Sequence, residues 1–255
     1  MRVFAAAFRL QLTIFFHAIG RVSIVIALPF HVLIFMSITR HGGRMDLDQQ
    51  AALAPALAGV WTMSLMLAGD IIDSDRWNGV LDVVLSAPAS FFANLLGRCA
   101  AVGTLGLVCF AESWAFAMLF FDADLSFGHP GWFVAGLLAT CLATAATSTV
   151  MATVFVLGRT ALAFKNALNY PVYVLGGVFV PIAVLPGWSH PLSRMIFLSW
   201  SADLLRAAAG DAPMARPWLQ LTAILLLGAA TLGVGVWCAG VVLNRVRSTG
   251  RVMAA

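Results

Sequence analysis

The sequence predicts an all-α integral membrane protein, and three observations carry that prediction. Hydrophobic residues make up 61% of the 255 and charged residues only 10%, against roughly 25% charged in a soluble domain. Six apolar runs approach or exceed the ~20 residues that a helix needs to cross a bilayer: Val22 to Ile38, Ala51 to Gly69, Cys99 to Phe121, Gly131 to Gly158, Asn166 to Pro186 and Trp218 to Asn244. Little sequence remains between them for a water-soluble unit, so residues 1–255 read as one transmembrane domain.

The leader, residues 1–21, places Phe4, Phe8, Leu12, Phe15 and Phe16 at helical spacing with Arg2, Arg9 and Arg21 at intervals. That is the pattern of an interfacial helix lying along a membrane surface; the competing reading makes it the lower end of the first span. A cleavable signal is excluded, because its arginines are spread out and no small-residue cleavage site follows a short apolar core. Spans one and two then fill 22–72.

Residues 73–98 are too patterned for a simple connector. Trp77, Val80, Leu81, Val84 and Leu85 stand at i, i+3, i+4, i+7 and i+8, an apolar stripe on one face of a short helix. Arg76, Asn78, Gly79 and Asp82 take the other face. Asp73, Ser74 and Asp75 are expected to cap the helix start, and Pro88 to stop it. Ser90 would cap a second helix from Phe91 that runs through Gly97 and Arg98 into span three. Periodicity alone equally allows an amphipathic helix lying on lipid headgroups.

Spans three and four fill 99–158. Glu112, the chain's only glutamate, sits near the middle of span three, where a charge costs about 2.5–3.5 kcal/mol on insertion scales. It either lines a polar route or is a neutral, hydrogen-bonded structural residue. Thr144, Thr147, Ser148 and Thr149 are expected to bond between helices. Span five, with the stretch after it, covers 166–200 and contains Pro171, Gly176, Gly177, Pro181 and Pro186. Such a segment needs backbone partners within protein rather than lipid, so the span is expected to end near Pro181 and to be followed by a short re-entrant pair of helices. Span six, 218–244, leads into a basic tail.

With six spans both termini share a side. That side carries Arg2, Arg9, Arg21, Arg76, Arg98, Arg159, Lys165, Arg245, Arg247 and Arg251, and the other carries Arg40, Arg44, Arg194, Arg206 and Arg216. Ten against five places the termini in the cytoplasm. Dispersed arginines also argue against nucleic-acid binding. The four cysteines fall inside spans without a CxxC pair, and the five histidines have no ligand spacing, so neither a disulfide framework nor a metal site is expected.

Lys165, the only lysine, follows Phe164. Without a Gly-Lys pair no phosphate-cradling P-loop can be written, and no nucleophile and base constellation emerges. An intramembrane enzyme would need Glu112 to meet an aspartate or histidine in one cavity. A secondary transporter would need inverted halves and intramembrane acids for ion coupling, neither of which the sequence displays.

The run Asp75-Arg76-Trp77-Asn78-Gly79-Val80-Leu81-Asp82 through Leu85 and Ala87-Pro88-Ala89-Ser90 resembles the coupling segment of the type 2 ABC-transporter permeases. Gly176-Gly177-Val178-Phe179-Val180-Pro181 through Leu185-Pro186-Gly187-Trp188 is similar to that family's Gly-x-Phe-x-Pro to Leu-Pro-x-Trp stretch, and Asp203 and Arg206 echo the acid and arginine that follow it. One departure is that Asp73, Asp75 and Asp82 stand where the family often has Glu. The resemblance implies the permease of an ABC exporter in a bacterial inner membrane. A second permease, identical or paralogous, would complete the pathway. Two cytoplasmic ATPase subunits would hold ATP and Mg2+, with no cofactor on this chain. It further implies that Asp75, Arg76, Trp77, Gly79, Leu81, Leu85 and Pro88 engage the ATPase, and that Phe179, Pro181, Pro186 and Trp188, with Glu112, line the route. Phe197-Leu198-Ser199-Trp200 stands where polysaccharide exporters carry Asn-Pro, which favours a drug, natural-product or lipid-like cargo over a polysaccharide or glycolipid.

Overall fold

The computed structural model describes residues 2–17, 19–43, 47–79, 91–123, 127–157 and 161–249, and every regular element among them is helical. In chain order these are α1 (Arg2–His17), α2 (Ile19–His41), α3 (Asp48–Trp77), α4 (Phe91–Phe121), α5 (Pro130–Leu157), α6 (Ala161–Leu175), α7 (His190–Arg194), α8 (Phe197–Ala209) and α9 (Pro217–Thr249). Two single 3-10 turns, Ile182–Val184 and Gly187–Ser189, lie between α6 and α7. Among the described residues four segments are long and apolar enough to cross a membrane: Asp48–Gly69, Phe91–Phe121, Pro130–Val154 and Pro217–Val241.

Burial sorts these helices by depth. The apolar window of α3 is 89% buried and that of α9 only 22%, so α3 is the axis of the bundle and α9 faces outward. On α2, Leu28, Val32 and Met36 repeat every four residues and are buried, while Ile26, Phe30, Leu33, Ile34 and Ile38 are exposed. An apolar side chain that faces outward is expected where lipid rather than water is the surroundings.

Lipid supplies no hydrophobic drive between helices, so close packing of small residues and interhelical hydrogen bonds must hold the bundle. Gly103 of α4 shows the first device: a Cβ there would lie 2.7 Å from the Cys141 carbonyl oxygen and 2.9 Å from the Ala145 Cβ of α5. The second appears where Ser113 of α4 donates to the Ala52 carbonyl of α3 at 2.7 Å, and where Ser64 of α3 meets Ser148 of α5 at 2.8 Å. Thr147 and Thr149 instead donate to carbonyls four residues back on α5. The glue therefore comes from Ser148 and from the Thr144 carbonyl, which accepts a further bond from Ser64.

The two ends of the bundle are distinct. At one, Arg40 of α2 pairs with Asp48 of α3 at 2.9 Å and lies 5.5 Å over the Phe121 ring at the end of α4. At the other, α1, the last turns of α3 and the first turns of α4 meet.

Three boundaries differ from the sequence expectation. The leader helix is described to His17 and α2 starts at Ile19 rather than Val22. Span five is expected to run from Asn166 to near Pro181, yet its helix ends at Leu175. Finally, Asp73, Ser74 and Asp75 do not cap a new helix, because α3 runs unbroken through Trp77. Asn78 donates its backbone N–H to the Ser74 carbonyl, and Gly79 turns left-handed at φ 65°, a conformation that glycine alone adopts without cost. Trp77 thus belongs to α3, and Gly79 is the turn after it rather than a position inside a coupling helix. Leu81, Leu85 and Pro88 lie outside the described residues.

Candidate functional site

The first candidate region is the end of α3. Asp75, in its last turn, accepts a 2.6 Å ion pair from Nη1 of Arg98 on α4. Arg98 is 3% exposed. Its Nε donates to Oε1 of Gln11 on α1 at 2.9 Å, and its Nη2 to the Ile71 carbonyl at 3.3 Å. The planar guanidinium fork suits this, because its donors point outward in fixed directions. Sequence reasoning placed Arg98 on the helix from Phe91 but counted it only as a charge on the side of the termini, and passed over Gln11. The available signal was Gln11 itself, a polar residue four positions before Phe15 on the apolar side of the leader.

The second region begins where α6 ends. The Val178 N–H bonds to the Tyr173 carbonyl and the Gly177 N–H to that of Val174, with Gly177 at φ 65°. This is a Schellman ending, in which a left-handed residue lets the chain turn back and satisfy the last carbonyls. Arg206 of α8 reinforces it, donating through Nη2 to the carbonyls of Gly177 and Val178, the latter at 2.7 Å. The helix therefore stops at the Gly-Gly pair, and Pro181 only opens the 3-10 turn that follows. Asp203 pairs not with Arg206 but with Arg194, at 2.7 Å.

That turn presents Phe179 to a cavity of about 640 Å³ between α2, α3 and α6. Phe179 stacks on Phe35 of α2 at 5.3 Å and packs on Tyr173 at 5.0 Å. The Tyr173 hydroxyl bonds Thr62 of α3. Asn169 and Tyr170 close one side, and among the described residues no carboxylate or arginine lines the space. The chemistry on offer is aromatic faces and a few neutral hydrogen-bonding groups, with His31 the one titratable imidazole.

Of the expected route residues, the cavity takes only Phe179. Pro181 and Pro186 precede the two 3-10 turns, and Trp188, in the second of them, is 74% exposed. Glu112 lies on α4 away from the cavity lining, with Oε2 buried and without a hydrogen-bond partner among the described residues. Thr62, Asn169, Tyr170 and Tyr173 escaped the sequence reading, since a tyrosine in an apolar run marks no route until its neighbours are known.

Glu112→Gln keeps the shape and removes the ionisable group. We expect transport to stay within about twofold of wild type and thermal stability to be equal or higher, because the buried oxygen gains nothing from charge. Transport and melting temperature measured together check this; a large transport loss at unchanged melting temperature would put Glu112 on the route.

Among the described residues every regular element is helical, four segments are apolar and long enough to cross a membrane, and a cavity opens between α2, α3 and α6, the features of a membrane protein with an internal space. The ABC-2 type transporter family matches residues 3–209, and the chain belongs to it. No curated protein matches the sequence. The family is the membrane component of ABC transporters, so the chain's role lies in transport.

Proposed function

We propose that this chain is the permease of an ATP-driven exporter that moves an amphipathic drug, natural product or lipid-like cargo outward across a bacterial inner membrane. The observation that carries the cargo class is the cavity: aromatic rings from α2, α6 and the turn after α6, neutral polar groups at Thr62, Asn169 and Tyr173, and no fixed charge among the described residues. Such a lining favours a molecule with flat apolar surface and few polar atoms, and offers nothing to balance the charge of an inorganic ion.

In this reading α2, α3, α4, α5, α6 and α9 are the six spans, α1 lies along the inner surface, and the turns with α7 and α8 form the re-entrant outer hairpin. Residues 80–90 and the turn at Gly79 meet the ATPase. Asp75, Arg76 and Trp77 stand at the base of that contact. Both termini are cytoplasmic. The charge count still supports this after Arg98 and Arg206, both occupied inside the fold, are left out. A second permease faces the open side of the cavity, and two ATPase subunits supply ATP and Mg2+ binding.

The test is to purify the chain alone and with its co-purifying ATPase, then measure ATP hydrolysis and uptake of a lipophilic aromatic dye into inverted vesicles. Hydrolysis and uptake are expected only in the complex, with uptake reduced by Tyr173→Ala. Robust hydrolysis by the chain alone would refute the division of labour. Uptake indifferent to every cavity substitution would refute the route.

A further inference from the structure

We propose that Arg98 is a positioning residue that locks α1, the end of α3 and the start of α4 into one rigid body, so that a push delivered beyond Gly79 moves the leader helix and α4 together. This rests on the reading of the segment after α3 as the motor contact. The leader then becomes a working part of the coupling device rather than a float on the membrane surface.

The geometry supports it in three ways. Arg98 reaches three helices with one side chain. It is anchored on α4, its Nη1 pairs with Asp75 at 2.6 Å and its Nη2 meets the Ile71 carbonyl on α3, and its Nε meets Gln11 on α1 at 2.9 Å. Next, the remaining buried contacts of α1 are apolar, through Ala7 and Phe15. Apolar contacts are non-directional and allow a helix to slide or roll, whereas a charge-assisted bond held by a planar fork fixes its register. Last, Asp75 stands one turn before Gly79. A displacement entering at Gly79 therefore reaches the ion pair through a single turn of hydrogen-bonded helix, and rigid elements of this kind carry shear and hinge movements.

The guanidinium is also costly to leave half-paired. Removing one partner leaves a buried charge short of a bond, which opposes any state in which α1 separates from α3. The node therefore favours arrangements in which the three helices keep their mutual distances, whatever the rest of the bundle does.

Spin labels at Leu10 on α1 and Asn78 after α3, both exposed, report this in a background with the four native cysteines replaced by serine. In the purified chain pulsed electron resonance is expected to give one narrow distance. In the complex that distance is expected to be the same with no nucleotide and with ATP, Mg2+ and vanadate. Gln11→Leu cuts only the bond to α1 and keeps the Asp75 pair. It is expected to broaden the distribution and lower dye transport per ATP hydrolysed by about tenfold, with hydrolysis itself retained. Arg98→Met should do so more strongly, and Gln11→Leu decides the matter if Arg98→Met does not fold.

A wild-type distance that shifts with nucleotide, or a Gln11→Leu distribution as narrow as wild type, would overturn the proposal. A stabilising role alone would lower the melting temperature and leave transport per ATP unchanged, which also overturns it. If no ATPase associates, the proposed function fails, while the narrow and broadened distances in the chain alone still decide whether the lock exists.

Discussion

Arg206→Met is expected to cost the assembled complex most of its transport, about tenfold or more, while the chain still inserts and assembles. The substitution removes both donors to the Gly177 and Val178 carbonyls. Hydrogen bonds from a charged group contribute about 1.5–3 kcal/mol each. Nε and Nη1 of Arg206 are buried without partners among the described residues, so burial of the cation already costs something that methionine relieves. A net stability loss of about 1–3 kcal/mol follows from the difference. The functional loss should be larger than that suggests, because Phe179 directly follows the pinned carbonyls and shapes the cavity through Phe35 and Tyr173. Arg206→Lys, with a single point-like donor group, should fall between. Thermal unfolding together with dye transport measures both quantities, and wild-type transport in Arg206→Met would show that the turn holds its shape without the pin.

The second large effect is expected from Gly103→Val. Its Cβ would enter the backbone of α5, 2.7 Å from the Cys141 carbonyl oxygen, and neither helix can yield without breaking its own ladder. Overpacking a tight core costs about 1–3 kcal/mol and sometimes more. Backbone on one side and the Ala145 Cβ on the other put this site at the upper end, so about 3 kcal/mol is expected. Gly131→Val is the matched control, since nothing lies within 4 Å of a Cβ there. Melting temperatures in the same detergent compare the two; equal values would mean that α4 and α5 separate freely and that close packing at Gly103 contributes little.

Much of the scaffold was legible because a membrane imposes a length and a polarity on anything that crosses it. Apolar runs marked α2, α3, α4, α5 and α9, although α3 continues eight residues past Gly69, and the helix running from Phe91 through Arg98 into span three is present as α4. What failed were inferences that needed a partner. Asp73 to Asp75 look like caps in isolation; in the fold Asp75 meets Arg98, and α3 continues to Trp77. Pro181 looks like the end of span five because proline is the louder breaker. The quieter Gly177 ends the helix, since the Schellman bonds and Arg206 together satisfy the last carbonyls. Arg98 and Arg206 carry the same side chain as the loop arginines, and composition does not distinguish a solvated cation from one enclosed by carbonyls and an amide. The cavity was hardest to see, because its rings come from three segments and none forms a motif alone.

The depth of α3 has a consequence in time. Synthesis proceeds at about 5–20 residues per second, and α3 ends at Trp77 while α5, which covers much of it, ends at Leu157. For roughly 4–16 seconds at that pace the helix that becomes the axis of the bundle lacks part of its final cover, since α4 is complete only at Phe121 and α5 only at Leu157. Its apolar flanks must rest in lipid or against the insertion machinery, and later exchange those contacts for α4 and α5. A ribosome that stalls between the two helices would leave the most buried part of the molecule outermost, so nascent chains arrested in that window are the ones a membrane protease should clear first.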